Sequence, residues 1–139
     1  MRTNSIVEVM TKNVVCVKPE QYLLDVKHIY EKQNFHHHIP VEEHGKLVGM
    51  VSLIDFMYNI SGAGISDDNK VYNELKVKDI MTQNPFYLTT NSTISDVSKV
   101  LAEGNYHAVP VLENDNIVGI VSTADIIKYF LNKTKTLVK

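Results

Sequence analysis

The sequence predicts an α/β fold made of two β-α-β-β-α repeats packed about a pseudo-two-fold axis. One observation is an internal duplication, in which "VMTKNVVCVKPEQYLLDVKHIY" from Val9 aligns with "IMTQNPFYLTTNSTISDVSKVL" from Ile80. A second is that each copy has one stretch of helical periodicity followed by a hairpin pattern. Because a unit of about fifty residues is too small to bury its own apolar faces, the two copies are expected to pack against each other.

The duplication covers nearly the whole chain. Each copy opens with a Met-Thr segment, beginning at Met10 in the first copy and at Met81 in the second. The second copy loses one residue after its helical stretch, and then "HHIPVEEHGKLVGMVSLIDF" aligns with "HAVPVLENDNIVGIVSTADI". We therefore expect a first repeat at residues 1–60, a linker at 61–76 and a second repeat at 77–139.

Each copy presents the same elements in the same order. The first strand is predicted by the β-branched or aromatic runs "VVCV" and "PFYL", each after a turn-prone Asn. The first helix is predicted by apolar spacing in "YLLDVKHIYEKQ" and "TISDVSKVLAEG", where Gly104 ends the second. A hairpin follows in "IPVEEHGKLVGMV" and "VPVLENDNIVGIV", with its turn at Gly45 or at Asn114 and Asp115. The closing helices are predicted by "SLIDFMYNI" and "STADIIKYFL".

Composition is that of a globular protein with little net charge. The 139 residues are 44% hydrophobic, and 14 basic against 16 acidic residues give a net charge of −2. This balance predicts binding neither to nucleic acid nor to an anionic membrane. The sequence shows no secretory signal and no apolar run near the roughly 20 residues of a membrane span, so a cytoplasmic protein is predicted. The only cysteine, Cys16, lies between valines and is expected to be a buried structural thiol.

The most informative motif is Gly-h-h-Ser-x-x-Asp, where h is an apolar residue. It occurs as "GMVSLID" and "GIVSTAD", each time where a predicted strand meets a predicted helix. One explanation is a capping box, in which the Ser52 or Ser122 hydroxyl satisfies an N–H group of the first helical turn. The other is a nucleotide site, since a hydroxyl can donate to phosphate and an ionised Asp55 or Asp125 can accept from two ribose hydroxyls. The residues alone leave both explanations open.

Taken together, these motifs resemble a tandem pair of CBS domains, also called a Bateman module. The resemblance covers "hMT-x-N", "h-P-V", "h-V-G-h-h-S" and the closing Asp in both copies. It implies a non-enzymatic regulatory module that binds AMP, ADP, ATP or S-adenosylmethionine in the cleft between the repeats. It also implies a homodimer, an energy-sensing or similar regulatory role, no obligatory cofactor, and a regulated protein that acts in trans.

The resemblance also implies which residues bind the ligand. Asp55 and Asp125 would bind the ribose, and Ser52, Ser122 and Thr123 the phosphate or ribose. Backbone groups and apolar walls for adenine would come from Asn13, Val15, Ile39, Pro40, Asn84, Phe86, Val109 and Pro110. Because Pro85 and Phe86 replace Val14 and Val15 in the second copy, unequal affinities are expected at the two sites.

The run "HHH" at 36–38 suggests several kinds of chemistry. A metal site is disfavoured because adjacent strand residues point to opposite faces and no cysteine pair is available. A catalytic role is disfavoured because no nucleophile–base pair is evident. His37 aligns with His107, which predicts that both pack beside the hairpin at the joint between the repeats. His36 and His38 would share the other face, where they either donate to phosphate or have a packing or surface role.

A ligand-free dimerisation scaffold is the alternative to a ligand sensor. The closing helices carry more apolar residues than one small core needs: Phe56, Met57, Ile60, Ile126, Ile127, Phe130 and Leu131. An enzyme is disfavoured, since nothing in the sequence assembles a nucleophile, a base and an oxyanion site.

Overall fold

The structure is a computed structural model that describes residues 4–32, 37–63 and 68–137, with side chains up to Thr134. The chain divides into two compact units. The central unit is Val15–Pro85, and the terminal unit combines Met1–Val14 with Phe86–Lys139. The boundaries of the two compact units therefore differ from those of the two sequence repeats. The central unit contains the Met-Thr segment of the second repeat, and the terminal unit contains the Met-Thr segment of the first.

The central unit is built around a β-hairpin. Its elements are α1 (Leu23–Glu31), β1 (His38–Glu43), β2 (Lys46–Ser52), α2 (Leu53–Asn59), α3 (Val71–Glu74), α4 (Val77–Ile80) and β3 (Thr82–Gln83). Strands β1 and β2 pair antiparallel, and β3 pairs antiparallel with the outer side of β2. On the other side of the hairpin, Val17 forms a parallel bridge with Val41.

The terminal unit repeats this plan. It contains a 3-10 helix (Ile6–Glu8), β4 (Leu88–Thr89), α5 (Ile94–Ala102), β5 (Ala108–Glu113), β6 (Asn116–Ser122) and α6 (Thr123–Leu137). Strand β4 pairs parallel with β5, and β5 pairs antiparallel with β6. Thr11 bridges Ile120 of β6, as β3 joins β2 in the central unit. The predicted mixture of helix and sheet is confirmed.

Both hairpins turn through two residues of positive φ. These are His44 (54°) with Gly45 (81°), and Asn114 (51°) with Asp115 (69°). Two consecutive positive φ angles characterise the type I′ turn, whose twist matches that of the flanking strands. The turns predicted at these positions are confirmed, and each hairpin also has a register shift at the equivalent place, after Val41 or Val111.

Each unit has its own hydrophobic core. The buried residues of the central unit are Val17, Leu23, Val26, Ile39, Val41, Val51, Phe56, Tyr72, Val77 and Ile80. Those of the terminal unit are Ile6, Ile94, Val97, Leu101, Val109, Val111, Val121 and Ile126. In both units these residues come from the inner faces of the hairpin strands and from one side of each helix, as the sequence periodicity predicts.

Two local predictions were wrong. "VVCV" does not form a strand, since only Val17 pairs, and the strand expected in "PFYL" begins at Leu88. Both segments follow an Asn in the left-handed region, and a backbone bend there interrupts an extended run. The linker predicted as a loop contains α3, whose Tyr72 is buried and stacks on Phe56 with ring centroids 6.4 Å apart.

Helix α5 begins with a reciprocal capping box. The Thr93 hydroxyl accepts from Asp96 N at 3.0 Å, and an Asp96 carboxylate oxygen accepts from Thr93 N at 2.9 Å. These bonds lower the pKa of Asp96. We expect Thr93→Ala to reduce the free energy of unfolding by about 1 kcal/mol, because one N–H group of the first turn loses its partner. Urea unfolding would measure this, with Ser95→Ala as the control; equal losses in both variants would contradict the assignment.

Cys16 is a half-buried thiol. Burial, and secondly the negative charge of Glu42, raise its pKa to about 11. A raised thiol pKa leaves less thiolate at pH 8, and the partly compensating rise in nucleophilicity makes the net loss of rate about tenfold. We expect iodoacetamide to alkylate Cys16 about ten times more slowly in the folded protein than in the protein unfolded in urea. Equal rates would show that the thiol has an ordinary environment.

Candidate functional site

The two Gly-h-h-Ser-x-x-Asp motifs lie where a strand passes directly into a helix. Ser52 ends β2 and caps α2, and its hydroxyl accepts from Asp55 N at 3.0 Å. Ser122 ends β6, and its hydroxyl accepts from Asp125 N at 3.2 Å. Each serine therefore caps its helix, as the first explanation of the motif requires, while the hydroxyl hydrogen stays available for donation.

The two aspartates differ in their hydrogen bonds. An Asp125 oxygen accepts from Ser122 N at 2.9 Å, which completes a capping box. At Asp55 no such bond occurs among the described residues. The Asp55 carboxylate instead lies close enough to Tyr30 to reinforce the effect of burial, which raises the pKa of that phenol. Asp55 thus keeps both oxygens available to accept from a ligand, whereas Asp125 must share or break an internal bond.

Each motif packs against the Met-Thr segment of the other repeat. In the terminal unit, Thr11 and Ile120 exchange backbone hydrogen bonds of 2.8 and 3.1 Å. The Met10 sulfur lies over Gly119, where a Cβ atom would have no room. In the central unit, Met81 lies over Gly49 in the same way. The sequence signal for this contact was that the Met and the Gly are both duplicated. The sequence did not indicate that the Met of one repeat contacts the Gly of the other repeat.

The predicted ligand residues fall into two groups, one in each unit. The central unit holds Val15, His38, Ile39, Pro40, Ser52, Asp55 and Asn84. The terminal unit holds Asn13, Phe86, Val109, Pro110, Ser122, Thr123 and Asp125. The two Asn residues therefore each join the group of the opposite repeat. His36 lies outside the described residues.

Burial separates the predicted adenine contacts into two classes. Ile39 and Val109 have 0% exposed surface and belong to the two cores, so their side chains do not supply the apolar walls that were predicted. Pro40 and Pro110 are likewise buried. Val15 and Phe86 remain exposed, at 42% and 38%. The accessible apolar surface thus comes from the residues that follow each left-handed Asn.

The duplicated histidine acts through its backbone. The His37 carbonyl accepts from Leu53 N at 2.7 Å, and the His107 carbonyl accepts from Thr123 N at 3.1 Å. Both histidine side chains are exposed. In each unit the carbonyl instead fixes the residue that begins the closing helix, and the Ser-x-x-Asp turn is held in place by this bond.

His38 occupies a position that distinguishes the two units. It is half-buried and lies directly opposite Ser52 in the β1–β2 register. Directly opposed residues project from the same face of an antiparallel pair, so the imidazole lies on the side of the Ser52 hydroxyl. The equivalent residue opposite Ser122 is Ala108. The central unit therefore has a titratable group beside its motif where the terminal unit has a methyl group.

Two aromatic residues near the motifs were missed from the sequence. The Tyr30 hydroxyl donates to the His37 carbonyl at 3.5 Å, and its ring packs on Phe56 with centroids 5.2 Å apart. Tyr106 stacks on Phe86, with centroids 5.3 Å apart. The only sequence signal for Tyr106 was its place immediately before the duplicated histidine.

The described part of the chain offers neither a metal-binding cluster nor a membrane-spanning helix. Within those residues, no group of three or more His, Cys, Asp or Glu side chains is arranged to hold a metal ion. Among the same residues, every helix is too short or too polar to cross a lipid bilayer.

Comparison with known proteins identifies the family. The model of the CBS domain matches the chain twice, at residues 6–62 and 77–132. The chain belongs to the CBS domain family. Protein MJ0188 of Methanocaldococcus jannaschii, which is uncharacterized, is 35% identical over 129 residues, or 91% of this chain. This CBS pair spans only 44% of the length of that relative.

Solved CBS pairs have the same fold. The Arabidopsis thaliana protein CBSX2, solved in complex with AMP, is 26% identical, with a TM-score of 0.76 over 93% of this chain and 97% of that one. The CBS domain pair of protein MJ0100, solved with 5-methylthioadenosine and S-adenosyl-L-methionine, is 24% identical, with a TM-score of 0.78 over 95% and 99% of the two chains. The predicted family and fold class are both confirmed.

Proposed function

We propose that this CBS pair is a non-enzymatic regulatory module that binds adenosine-containing ligands at its two Ser-x-x-Asp sites. The observation that carries the proposal is the duplicated motif, in which a serine hydroxyl accepts from the backbone N–H of the aspartate at a strand–helix junction in each unit. The AMP bound to CBSX2 and the adenosyl compounds bound to the MJ0100 pair support the ligand class. AMP, ADP, ATP and S-adenosylmethionine are the candidates.

The chemistry of each group assigns its role. The carboxylates of Asp55 and Asp125 accept hydrogen bonds from the ribose hydroxyls, and the hydroxyls of Ser52 and Ser122 donate to phosphate or ribose. Thr123 contributes less, because its hydroxyl donates to the His107 carbonyl at 3.5 Å and would have to exchange this partner. The base is contacted by Val15 and Phe86. Each of these side chains is exposed and lies two residues after an Asn whose backbone is in the left-handed region.

His38 is the residue proposed to contact phosphate in the central unit. Its place opposite Ser52 puts a donor that strengthens on protonation beside the hydroxyl. His36 stays a second candidate from the sequence. Asn13 and Asn84, exposed and with φ of 57° and 48°, present backbone groups beside the motifs of the terminal and central units.

Binding acts through a change of conformation. A ligand shifts an equilibrium between arrangements only if it binds one of them more tightly, so the regulated protein, acting in trans, would respond to the ligand-bound arrangement. We place this module in the cytoplasm, because its single thiol suits a reducing compartment.

A homodimerisation scaffold is the second candidate function. Two helices expose large apolar side chains: Ile54 (76%), Met57 (59%) and Tyr58 (82%) on α2, and Ile127 (55%), Phe130 (50%) and Leu131 (58%) on α6. Phe56 and Ile126, which were predicted to belong to this surface, are in the cores instead. Exposed apolar patches of this kind mark association surfaces. A homodimer would cover both helices.

Calorimetry with AMP, ADP, ATP and S-adenosylmethionine tests the proposal, with GMP as a matched control for the base. We expect binding by at least one adenosyl ligand with at most two sites per chain, and weaker binding of GMP. Absence of heat with all four at millimolar concentration would contradict the sensor. Light scattering of the same samples would then decide whether the dimer, and with it the scaffold function, is present.

A further inference from the structure

Phe86 and Tyr106 form an exposed aromatic pair in the terminal unit. Their rings stack with an interplanar angle of 21° and centroids 5.3 Å apart, an offset geometry that favours attraction between π-systems. Phe86 remains 38% exposed and Tyr106 42% exposed, and neither belongs to the hydrophobic core of the unit. The pair therefore presents ring surface to solvent.

Strand topology places this pair at the same end of the sheet as the Ser-x-x-Asp motif. Phe86 lies just before β4 and Tyr106 just before β5, and these two strands are parallel. Strand β6 runs antiparallel to β5, with Ser122 opposite Ala108. The start of β5 therefore lies beside the end of β6, where the motif begins.

A backbone bond links the two features directly. His107, the residue after Tyr106, accepts through its carbonyl from Thr123 N at 3.1 Å. Thr123 is the first residue of α6 and lies between Ser122 and Asp125 of the motif. The loop that holds Tyr106 is thus fixed to the turn that holds the ribose-binding carboxylate.

The central unit has no ring at the equivalent of Phe86. This position is Val15, which is 42% exposed and offers only an aliphatic surface. The position aligned with Tyr106 is His36, which lies outside the described residues. The two proposed sites therefore differ in how they can contact a base: an aliphatic contact at Val15, and a stacking surface at Phe86.

We propose that the Phe86–Tyr106 pair is a stacking platform for the purine base of a ligand bound at the terminal-unit motif, and that Tyr106 supplies part of the stacking surface. The inference rests on the proposed function and deepens it. Stacking on an aromatic side chain contributes to the binding of every base because every base has a π-face, and its loss on substitution lowers affinity by about tenfold to a hundredfold. A ligand with ribose and phosphate but no base gains nothing from the pair.

The experiment compares AMP with ribose 5-phosphate by calorimetry. Both ligands are titrated into the full chain carrying Asp55→Ala, which removes the carboxylate of the central-unit site. In this background, Phe86→Leu and Tyr106→Leu are each expected to weaken AMP binding at least tenfold and to leave ribose 5-phosphate binding unchanged. Tyr87→Leu is the matched control, because Tyr87 is a neighbouring aromatic residue, 48% exposed, with no ring partner among the described residues.

A conservative variant separates stacking from folding. The chain contains no tryptophan, so Phe86→Trp introduces a single tryptophan, which can be excited at about 295 nm apart from the tyrosines, and keeps an aromatic ring in the pair. We expect this variant to retain AMP binding and its emission to change on addition of AMP, with no change on addition of ribose 5-phosphate.

The outcomes distinguish the inference from the proposed function. If the wild-type chain and its Asp55→Ala variant bind AMP, and both leucine variants bind it with unchanged affinity, the platform is excluded and the sensor function stands. If the wild-type chain binds no adenosyl ligand, the proposed function fails and the platform fails with it. Loss of AMP binding in both leucine variants, with binding kept in Tyr87→Leu and Phe86→Trp, supports the platform.

Discussion

Replacement of Gly119 by alanine is expected to destabilise the protein by about 1–3 kcal/mol, the usual cost of overpacking. A Cβ atom at Gly119 would lie 2.5 Å from the sulfur and 2.8 Å from Cγ of Met10. The Met10 side chain can rotate beyond Cβ, but its Cβ also lies 3.2 Å from the added atom and is held in place, because the next residue, Thr11, makes two backbone hydrogen bonds with Ile120. Urea unfolding monitored by circular dichroism would measure the loss.

A double-mutant cycle with Met10 tests the cause of this loss. Met10→Ala removes the sulfur that the new methyl group would meet, so the two changes together are expected to cost less than the sum of the two single changes. Additive costs would show that Gly119 is needed for another reason. Gly49→Ala should behave similarly, although Thr82 O, a backbone atom, also lies 3.0 Å from the added Cβ and cannot rotate away.

Asp55→Asn and Asp125→Asn are expected to remove one binding site each. A hydrogen bond to a charged group contributes about 1.5–3 kcal/mol, so the affinity of the altered site should fall by roughly 10-fold to 150-fold. Calorimetry with the best adenosyl ligand should then report one site instead of two. For ribose 5-phosphate, which has no base to stack, the site with Asp55 is expected to bind more tightly, because its carboxylate gives up no internal bond.

Stability measurements on the same variants separate ligand binding from helix capping. Asp125→Asn weakens the capping box with Ser122 N, whereas Asp55→Asn breaks no corresponding bond among the described residues. Asp96→Asn is the control, since Asp96 closes a capping box on α5 outside the candidate site. If Asp125→Asn lowers stability and neither variant lowers ligand affinity, the motif serves only to cap helices.

Local sequence patterns predicted the local elements well. Helical spacing located α1 and α5, and the turn residues located both hairpins. The segment "VVCV" can form a strand only if the edge of another strand lies within hydrogen-bonding distance. Asn13, whose backbone is in the left-handed region, changes the direction of the chain just before this segment. The exchange of Met-Thr segments could not be predicted for a similar reason. Two copies of one pattern present equivalent partners, and only the three-dimensional arrangement decides between them.

The candidate site was predictable in its residue types but less so in its details. The Ser and Asp of each motif were identified from spacing alone. The different hydrogen bonds of Asp55 and Asp125 were not, because both copies share the same motif letters. Ile39 was predicted to contact the adenine, but its side chain belongs to the core. The sequence could not distinguish these two roles, because an apolar residue beside a polar site is compatible with both. The histidine at position 37 was recognised as architectural, but the group that acts is its carbonyl.

The discontinuity of the terminal unit has a consequence for synthesis of the chain. The central unit is one continuous segment, Val15–Pro85, so it can form as soon as that segment has left the ribosome. The terminal unit needs residues 1–14 together with residues 86–139, and Thr11 finds its partner only after Ile120 has been made. Residues 1–14 are therefore translated before the central unit but are secured after it, once Ile120 has been made.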